Sequence, residues 1–130
     1  MQAEWPVRVY YEDTDAGGVV YHASYLRYLE RARTEWLRAL GQSQARLKQE
    51  ESLVFTVVGM TLEFLKPARL DDLLQVRSAV KLAGGASVHF EQQILRESEP
   101  ILGATVRVAC LDASTFRPRR LPAAVRGSLE

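Results

Sequence analysis

The sequence predicts an α+β fold in which a curved antiparallel sheet of five to six strands wraps around one long central helix. Three observations carry that prediction. One long stretch repeats its apolar residues at steps of three and four, four later runs repeat them at steps of two, and turn signals separate those runs. At 130 residues the chain suits one domain, residues 1–130, able to bury well over half of its unfolded surface but too small for two cores.

Val7 to Tyr11 reads as a first strand. The helix follows from Tyr21 to about Gly41, with Tyr25, Leu26, Leu29, Ala32, Trp36, Leu37 and Leu40 on its apolar stripe and Arg27, Glu30, Arg31, Thr34, Glu35 and Arg38 on its other faces. Gly41 supplies the stop. A shorter helical stretch runs from Ser43 to Gln49. From Leu53 the period becomes two: Val54, Thr56, Val58, Met60, Leu62 and Phe64 share one face until Lys66-Pro67 ends the run. Leu74, Val76, Val80 and Leu82 form the next face, then Val88, Phe90 and Ile94, then Leu102, Ala104, Val106, Val108 and Cys110. Ala68 to Asp72, Gly84-Gly85 and Ser98 to Pro100 mark the turns. Runs of about 12 residues span roughly 40 Å, and strands of that length in a twisted sheet must curl. Such a sheet leaves open edges, so edge pairing in a dimer is expected. From Arg117 onward the Pro/Arg-rich tail is expected to cover the surface.

Composition excludes several classes of function. Seventeen Lys and Arg face sixteen Asp and Glu, a net charge of +1, which provides no broad basic footprint for nucleic acid. Cys110 is the single cysteine, so no internal disulfide forms, as suits a reducing cytoplasm. No apolar run approaches the roughly 18 residues of a membrane span, and the first residues do not pattern as a signal peptide.

The stretch with most chemistry is Tyr11-Glu12-Asp13-Thr14-Asp15-Ala16-Gly17-Gly18-Val19-Val20-Tyr21-His22, which places three carboxylates between a strand and a helix start. A helix start offers free N–H donors and favours negative charge. Gly17 and Gly18 permit a tight turn and close approach of a ligand. A calcium loop beginning at Asp13 has the wrong residue, Ser24, at its twelfth position. An Asp-x-Asp magnesium site for a nucleotide-sugar diphosphate lacks a matching nucleotide-binding fold. Two readings remain open at this level: a catalytic Asp15 near His22 and the helix donors, or Asp13 and Asp15 as caps of loop and helix N–H groups.

The segment Tyr10 to Leu26, continuing through Glu30-Arg31-Ala32-Arg33-Thr34-Glu35-Trp36-Leu37, resembles the signature of hotdog-fold acyl-CoA thioesterases. It is similar in particular to the 4-hydroxybenzoyl-CoA thioesterase family and its Tol-Pal-system-associated subgroup. The likeness is strongest over residues 7–41 and extends through about Phe116. It implies a hotdog fold, a homodimer or homotetramer with active sites between subunits, and hydrolysis of acyl-CoA, or of a thioester on an acyl carrier protein, without metal or redox cofactor. By motif position the catalytic carboxylate is Asp15, with Tyr11 and His22 as partners. Gly17, Gly18 and Tyr21 would border the substrate, whose carbonyl would meet backbone N–H groups near Gly18 and His22. The rival readings are a non-catalytic acyl-thioester or acyl-carrier-binding module and a dehydratase of the same fold.

Other residues have plainer expectations. Arg27, Arg31, Arg33 and Arg38 are assigned mostly to a solvated helix face, and Lys66, Arg69 and Arg119-Arg120 are equal candidates for coenzyme A phosphates. His89 and Glu63 fall on the outer sheet face. Trp5, Trp36 and Cys110 read as packing residues.

Overall fold

A computed structural model describes residues 2–130. Five strands, β1 (Gln2–Arg8), β2 (Leu53–Phe64), β3 (Leu73–Leu82), β4 (Ser87–Arg96) and β5 (Glu99–Asp112), form one sheet in the order β1-β3-β4-β5-β2. Every neighbouring pair is antiparallel. Three helices, α1 (Ser24–Ala39), α2 (Gln44–Glu51) and α3 (Ala123–Leu129), complete the architecture. None of the described helices is long and apolar enough to cross a membrane.

The long helix begins three residues later than its periodicity predicts. Tyr21 N–H and Ser24 Oγ both donate to the Asp13 carbonyl, at 2.9 and 3.2 Å, which holds residues 21–23 as a turn against the preceding loop. At its other end Gly41 takes φ +80°, and the Gly41 and Gln42 N–H groups return to Arg38 and Leu37 carbonyls at 2.9 and 3.2 Å. That paired closure needs a residue comfortable at positive φ, which is why the helix stops at a glycine. Helix α2 is capped by Ser43, whose Oγ accepts from Arg46 N–H at 3.4 Å.

Three expectations change. The first strand lies upstream, over Gln2–Arg8, while Tyr11 belongs to a short 3-10 turn, Tyr11–Asp13. Strand β2 does not keep one phase: its register with β5 shifts between Val57 and Gly59. Leu53 and Phe55 pack inward before the shift, and Met60 and Leu62 after it, so Val58 is exposed. The inserted residue flips the alternation, and a period-two reading of Val54 with Met60 joins opposite faces. The tail does more than cover the surface, because Leu121 and Val125 of the α3 region enter the core at 2% and 1% exposure.

Helix α1 packs mainly on β1 and β3. The core beneath it has two halves. Tyr25, Tyr28, Leu29 and Ala32 meet Leu74, Val76, Ile94, Leu102 and Ala104 near the helix start. Trp36 and Leu37 meet Val80, Val88, Phe90, Val106 and Val108 near its end. Between the halves, Ser78 and Gln92 occupy the inward positions of β3 and β4 as buried polar residues.

Candidate active site

The loop between β1 and α1 folds on two levels. At its base, Asp13 is 4% exposed. Its Oδ2 accepts from Tyr10 N–H at 2.9 Å, its carbonyl takes Tyr21 N–H and Ser24 Oγ, and its Oδ1 lies 4.0 Å from Arg27 Nη2. Arg27 also donates to Ser24 Oγ at 3.0 Å. Asp13 therefore ties the strand exit to the helix entry. Beneath it the buried Tyr28 hydroxyl has no hydrogen-bond partner among the described residues. Burial first, and the nearby Asp13 carboxylate second, push that phenol well above its ordinary ionisation.

At the tip, Thr14 and Val20 bridge as a miniature hairpin. Gly18 N–H donates to the Asp15 carbonyl at 3.0 Å and Asp15 N–H to the Val19 carbonyl at 2.9 Å. Gly18 sits at φ +80°, where a residue with a Cβ would be strained. Asp15 Oδ1 accepts from Gly17 N–H at 2.8 Å, an Asx turn that fixes the carboxylate, while Oδ2 accepts from no described group. The Gly17 and Gly18 N–H groups are thus committed inside the turn. Those of His22, Ala23 and Tyr25 donate to no acceptor among the described residues, and Ala23 gives the helix no side-chain cap. Free N–H groups at a helix start are suited to an anion or oxyanion.

Tyr11, Thr14, Asp15, Ala16, Gly18 and Leu70 line one open concavity. The structure therefore brings Tyr11 and Asp15 together, with Tyr11 strongly exposed. His22 is outside that lining; its ring stands 4.4 Å from the exposed Tyr21 ring at the helix entry. Gly17 and Gly18 serve the turn, and a Cβ on Gly17 would crowd Asp15 Oδ1 at 3.1 Å.

The segment between β2 and β3 supports this loop from fifty residues away in sequence. Val20 N–H donates to Ala68 O at 2.8 Å, Ala68 N–H to Tyr25 Oη at 3.1 Å, and Val19 bridges Arg69. Asp72 Oδ2 accepts from Arg69 N–H at 2.9 Å and Arg96 Nη1 at 2.8 Å. Burial works against the Asp72 charge, but the Arg69 N–H and the Arg96 guanidinium outweigh it and hold the carboxyl below its usual value. Tyr25 is raised, by burial above all, with the Asp72 and then the Asp15 carboxylate adding to the rise. Sequence reasoning passed over Tyr25, Ser24 and Ala68; a turn signal at Ala68 to Asp72 was visible, but its position beside Asp15 was not.

Of the candidate phosphate contacts, Lys66 pairs with Glu99 at 2.9 Å and Arg119 with Asp112 at 2.8 Å. The Arg69 side chain, next to Leu70 at the concavity, has no carboxylate within 4.0 Å among the described residues. His89 and Glu63 lie off the core, as expected, and no cluster of three His, Cys, Asp or Glu suited to a metal occurs among the described residues.

Residues 9–129 match the model of the thioesterase-like superfamily. The chain is 48% identical over 124 residues to an acyl-CoA thioesterase, YbgC, of Haemophilus influenzae, covering 95% of this chain and 91% of that one. It is 49% identical over 122 residues to the acyl-CoA thioester hydrolase YbgC of Escherichia coli, covering 93% and 90%. Among solved structures it is similar to a probable thioesterase from Bartonella henselae, with 38% identity, a TM-score of 0.88, and coverage of 94% of this chain and 100% of the other.

Proposed function

This chain belongs to the thioesterase-like superfamily, and from that premise we propose that it hydrolyses acyl-CoA thioesters at the Asp15 turn, releasing a free acid and coenzyme A. The observation that carries the reading is the division of labour within one carboxylate. Asp15 Oδ1 is fixed by the Gly17 N–H while Oδ2 accepts from no described group, in a loop leading to a helix start whose His22 and Ala23 N–H groups have no acceptor among the described residues.

The thioester carbonyl oxygen takes the His22 and Ala23 N–H groups, which stabilise negative charge as the carbonyl carbon becomes tetrahedral. Asp15 Oδ2 acts either on that carbon, forming a mixed anhydride that water then opens, or on a water molecule, removing its proton as the oxygen attacks. In both routes the carbon–sulfur bond breaks, the thiolate leaves with a proton, and the acid keeps an oxygen from water. Tyr11 and the Tyr21–His22 ring pair border the thioester, and Arg69 holds coenzyme A phosphate. The same geometry accepts a pantetheine thioester on an acyl carrier protein. A substrate of this kind suits the cytoplasm, where Cys110 stays reduced.

A homodimer joined along β2 completes the site. That strand is an edge of the sheet, twelve residues long, with Val57, Val58 and Phe64 at 42%, 54% and 52% exposure. The opposite edge, β1, is shorter and carries Pro6, which has no N–H to offer a partner. Pairs of dimers form the homotetramer.

Free-thiol release from a panel of acyl-CoAs by wild type and Asp15→Asn is the test. Asn retains an oxygen for the Gly17 N–H, so the turn persists while basicity is lost. The rate is expected to fall roughly 10²- to 10⁴-fold. An unchanged rate in the variant removes Asp15 from the chemistry, and no release by wild type turns the protein into an acyl-thioester binder.

A further inference from the structure

Pro67, Ala68 and Arg69 lie outside the five strands, yet every backbone N–H and carbonyl they carry is paired. The Pro67 carbonyl accepts from Arg96 Nη1 at 3.0 Å. Ala68 N–H donates to Tyr25 Oη at 3.1 Å, and the Ala68 carbonyl accepts from Val20 N–H at 2.8 Å. Arg69 N–H donates to Asp72 Oδ2 at 2.9 Å, and the Arg69 carbonyl accepts from Asp72 N–H at 3.1 Å. A connection bonded at each of these groups to other parts of the chain is a fixed support.

Two distant parts of the molecule meet on that support. On one side stands the Asp15 hairpin, whose Val20 N–H rests on Ala68 and whose Val19 bridges Arg69. On the other stands the end of β4, which contributes Arg96. Its Nη1 reaches both the Pro67 carbonyl and Asp72 Oδ2, at 3.0 and 2.8 Å, and so ties the beginning of the segment to its end. Both side chains of the Asp72–Arg96 pair are half-buried, and a charge-assisted hydrogen bond partly shielded from water outweighs an exposed ion pair. Arg96 Nη2 also faces Glu99 Oε1, a looser contact at 3.6 Å.

Between these anchors the backbone is strained. Asp71 takes φ +72°, its N–H donating to the Val9 carbonyl at 3.0 Å and its carbonyl accepting from Arg8 Nη1 at 2.7 Å. A residue with a side chain keeps that conformation only where its surroundings impose it, and strain of this kind collects at functional sites. The same turn carries Leu70, which lines the concavity together with Asp15, whereas Asp72 and Arg96 stand behind that lining.

We propose that Asp72 and Arg96 are positioning residues for the reaction: their ion pair locks Pro67–Arg69, and through Ala68 and Val20 that segment sets the Asp15 carboxylate against the thioester carbonyl. The proposal rests on the acyl-CoA reading above. In this role neither side chain touches the substrate, and both act through Asp15.

The test is steady-state thiol release from one acyl-CoA, with kcat and KM determined separately and normalised to folded protein. Arg96→Met is expected to lower kcat at least about fivefold with a smaller change in KM, because a reacting group displaced by about 1 Å loses much of its rate. Arg96→Lys, which keeps a cationic donor for Asp72, is expected to recover part of that loss. Glu99→Gln removes the looser partner of Arg96 and leaves the Asp72 contact in place, so its kcat is expected to stay near that of wild type. The decisive comparison is made in the Asp15→Asn background. With the carboxylate gone its placement no longer counts, so adding Arg96→Met is expected to lower kcat by less than about twofold further. A merely structural role gives the same factor in both backgrounds. Asp72→Asn, which keeps an oxygen for the Arg69 N–H but offers Arg96 no charge, carries the comparison if Arg96→Met does not fold. A smaller loss of kcat than expected, a loss larger in KM than in kcat, no recovery in Arg96→Lys, a Glu99→Gln loss equal to that of Arg96→Met, or the same factor in the Asp15→Asn background overturns the proposal. Each of these leaves wild-type turnover and its dependence on Asp15 intact, and so refutes this inference alone. No turnover by wild type, or an unchanged rate in Asp15→Asn, refutes it together with the hydrolase reading.

Discussion

Asp13 and Asp15 stand two residues apart in one loop, yet the base and the tip treat a carboxylate in opposite ways. At the base Asp13 is buried, with Oδ2 on the Tyr10 N–H and Oδ1 facing Arg27. At the tip Asp15 is exposed, with one oxygen held and the other open. A carboxylate surrounded by the groups it supports stabilises the loop, whereas one held at a single oxygen beside unpaired donors is free to react. On that comparison the two carboxylates are not interchangeable, which the variants below put to the test.

The largest separation between the two is expected in turnover. Asp15→Asn loses thiol release while its stability stays within about 0.5 kcal/mol of wild type, since the residue is exposed and its turn persists; thermal unfolding measured beside the assay checks both halves. Asp13→Ala reverses the pattern. Leaving the Tyr10 N–H and Arg27 without their acceptor is expected to cost about 2–4 kcal/mol in urea unfolding, with activity per folded molecule changed far less.

Smaller effects sharpen the contrast. Gly18→Ala places a Cβ at φ +80° and is expected to cost about 1–2 kcal/mol, with a several-fold loss of activity as the turn shifts Asp15. Tyr28→Phe, which removes a buried hydroxyl lacking a partner, is expected to be neutral or stabilising by up to about 1 kcal/mol. Destabilisation on that substitution, measured by chemical denaturation, would show that the Asp13 base reaches further into the core than its hydrogen bonds indicate.

Local patterns in the chain reveal much of the fold and less of the site. The inward alternation of Leu74 to Leu82 and Leu102 to Cys110 matches the buried faces of β3 and β5, because those strands are regular. The phase of β2 was hidden by its bulge at Val58, a feature set by pairing with β5 and not by β2 itself. Spacing leaves Asp15 open between catalysis and capping, and it is the resemblance that marks it by motif position, because the carboxylate's neighbours come from elsewhere. Ala68 reaches the loop through Tyr25 and Val20, contacts between segments more than forty residues apart. The sequence groups Arg33 with the arginines of a mostly solvated face, since a charged residue on the inward stripe makes sense only once Gln92 is opposite it. The Pro- and Arg-rich approach obscures the α3 segment, whose anchors Leu121 and Val125 only the finished core displays.

The central claim is that chemistry belongs to the tip of the loop and stability to its base. Steady-state thiol release from one acyl-CoA by wild type, Asp15→Asn and Asp13→Asn, each normalised to folded protein and measured well below its own Tm, tests it most directly. The account predicts that Asp13→Asn keeps kcat within a few-fold of wild type while Asp15→Asn falls by roughly a hundredfold or more. Equal losses in the two variants, or a larger loss in Asp13→Asn, would contradict it.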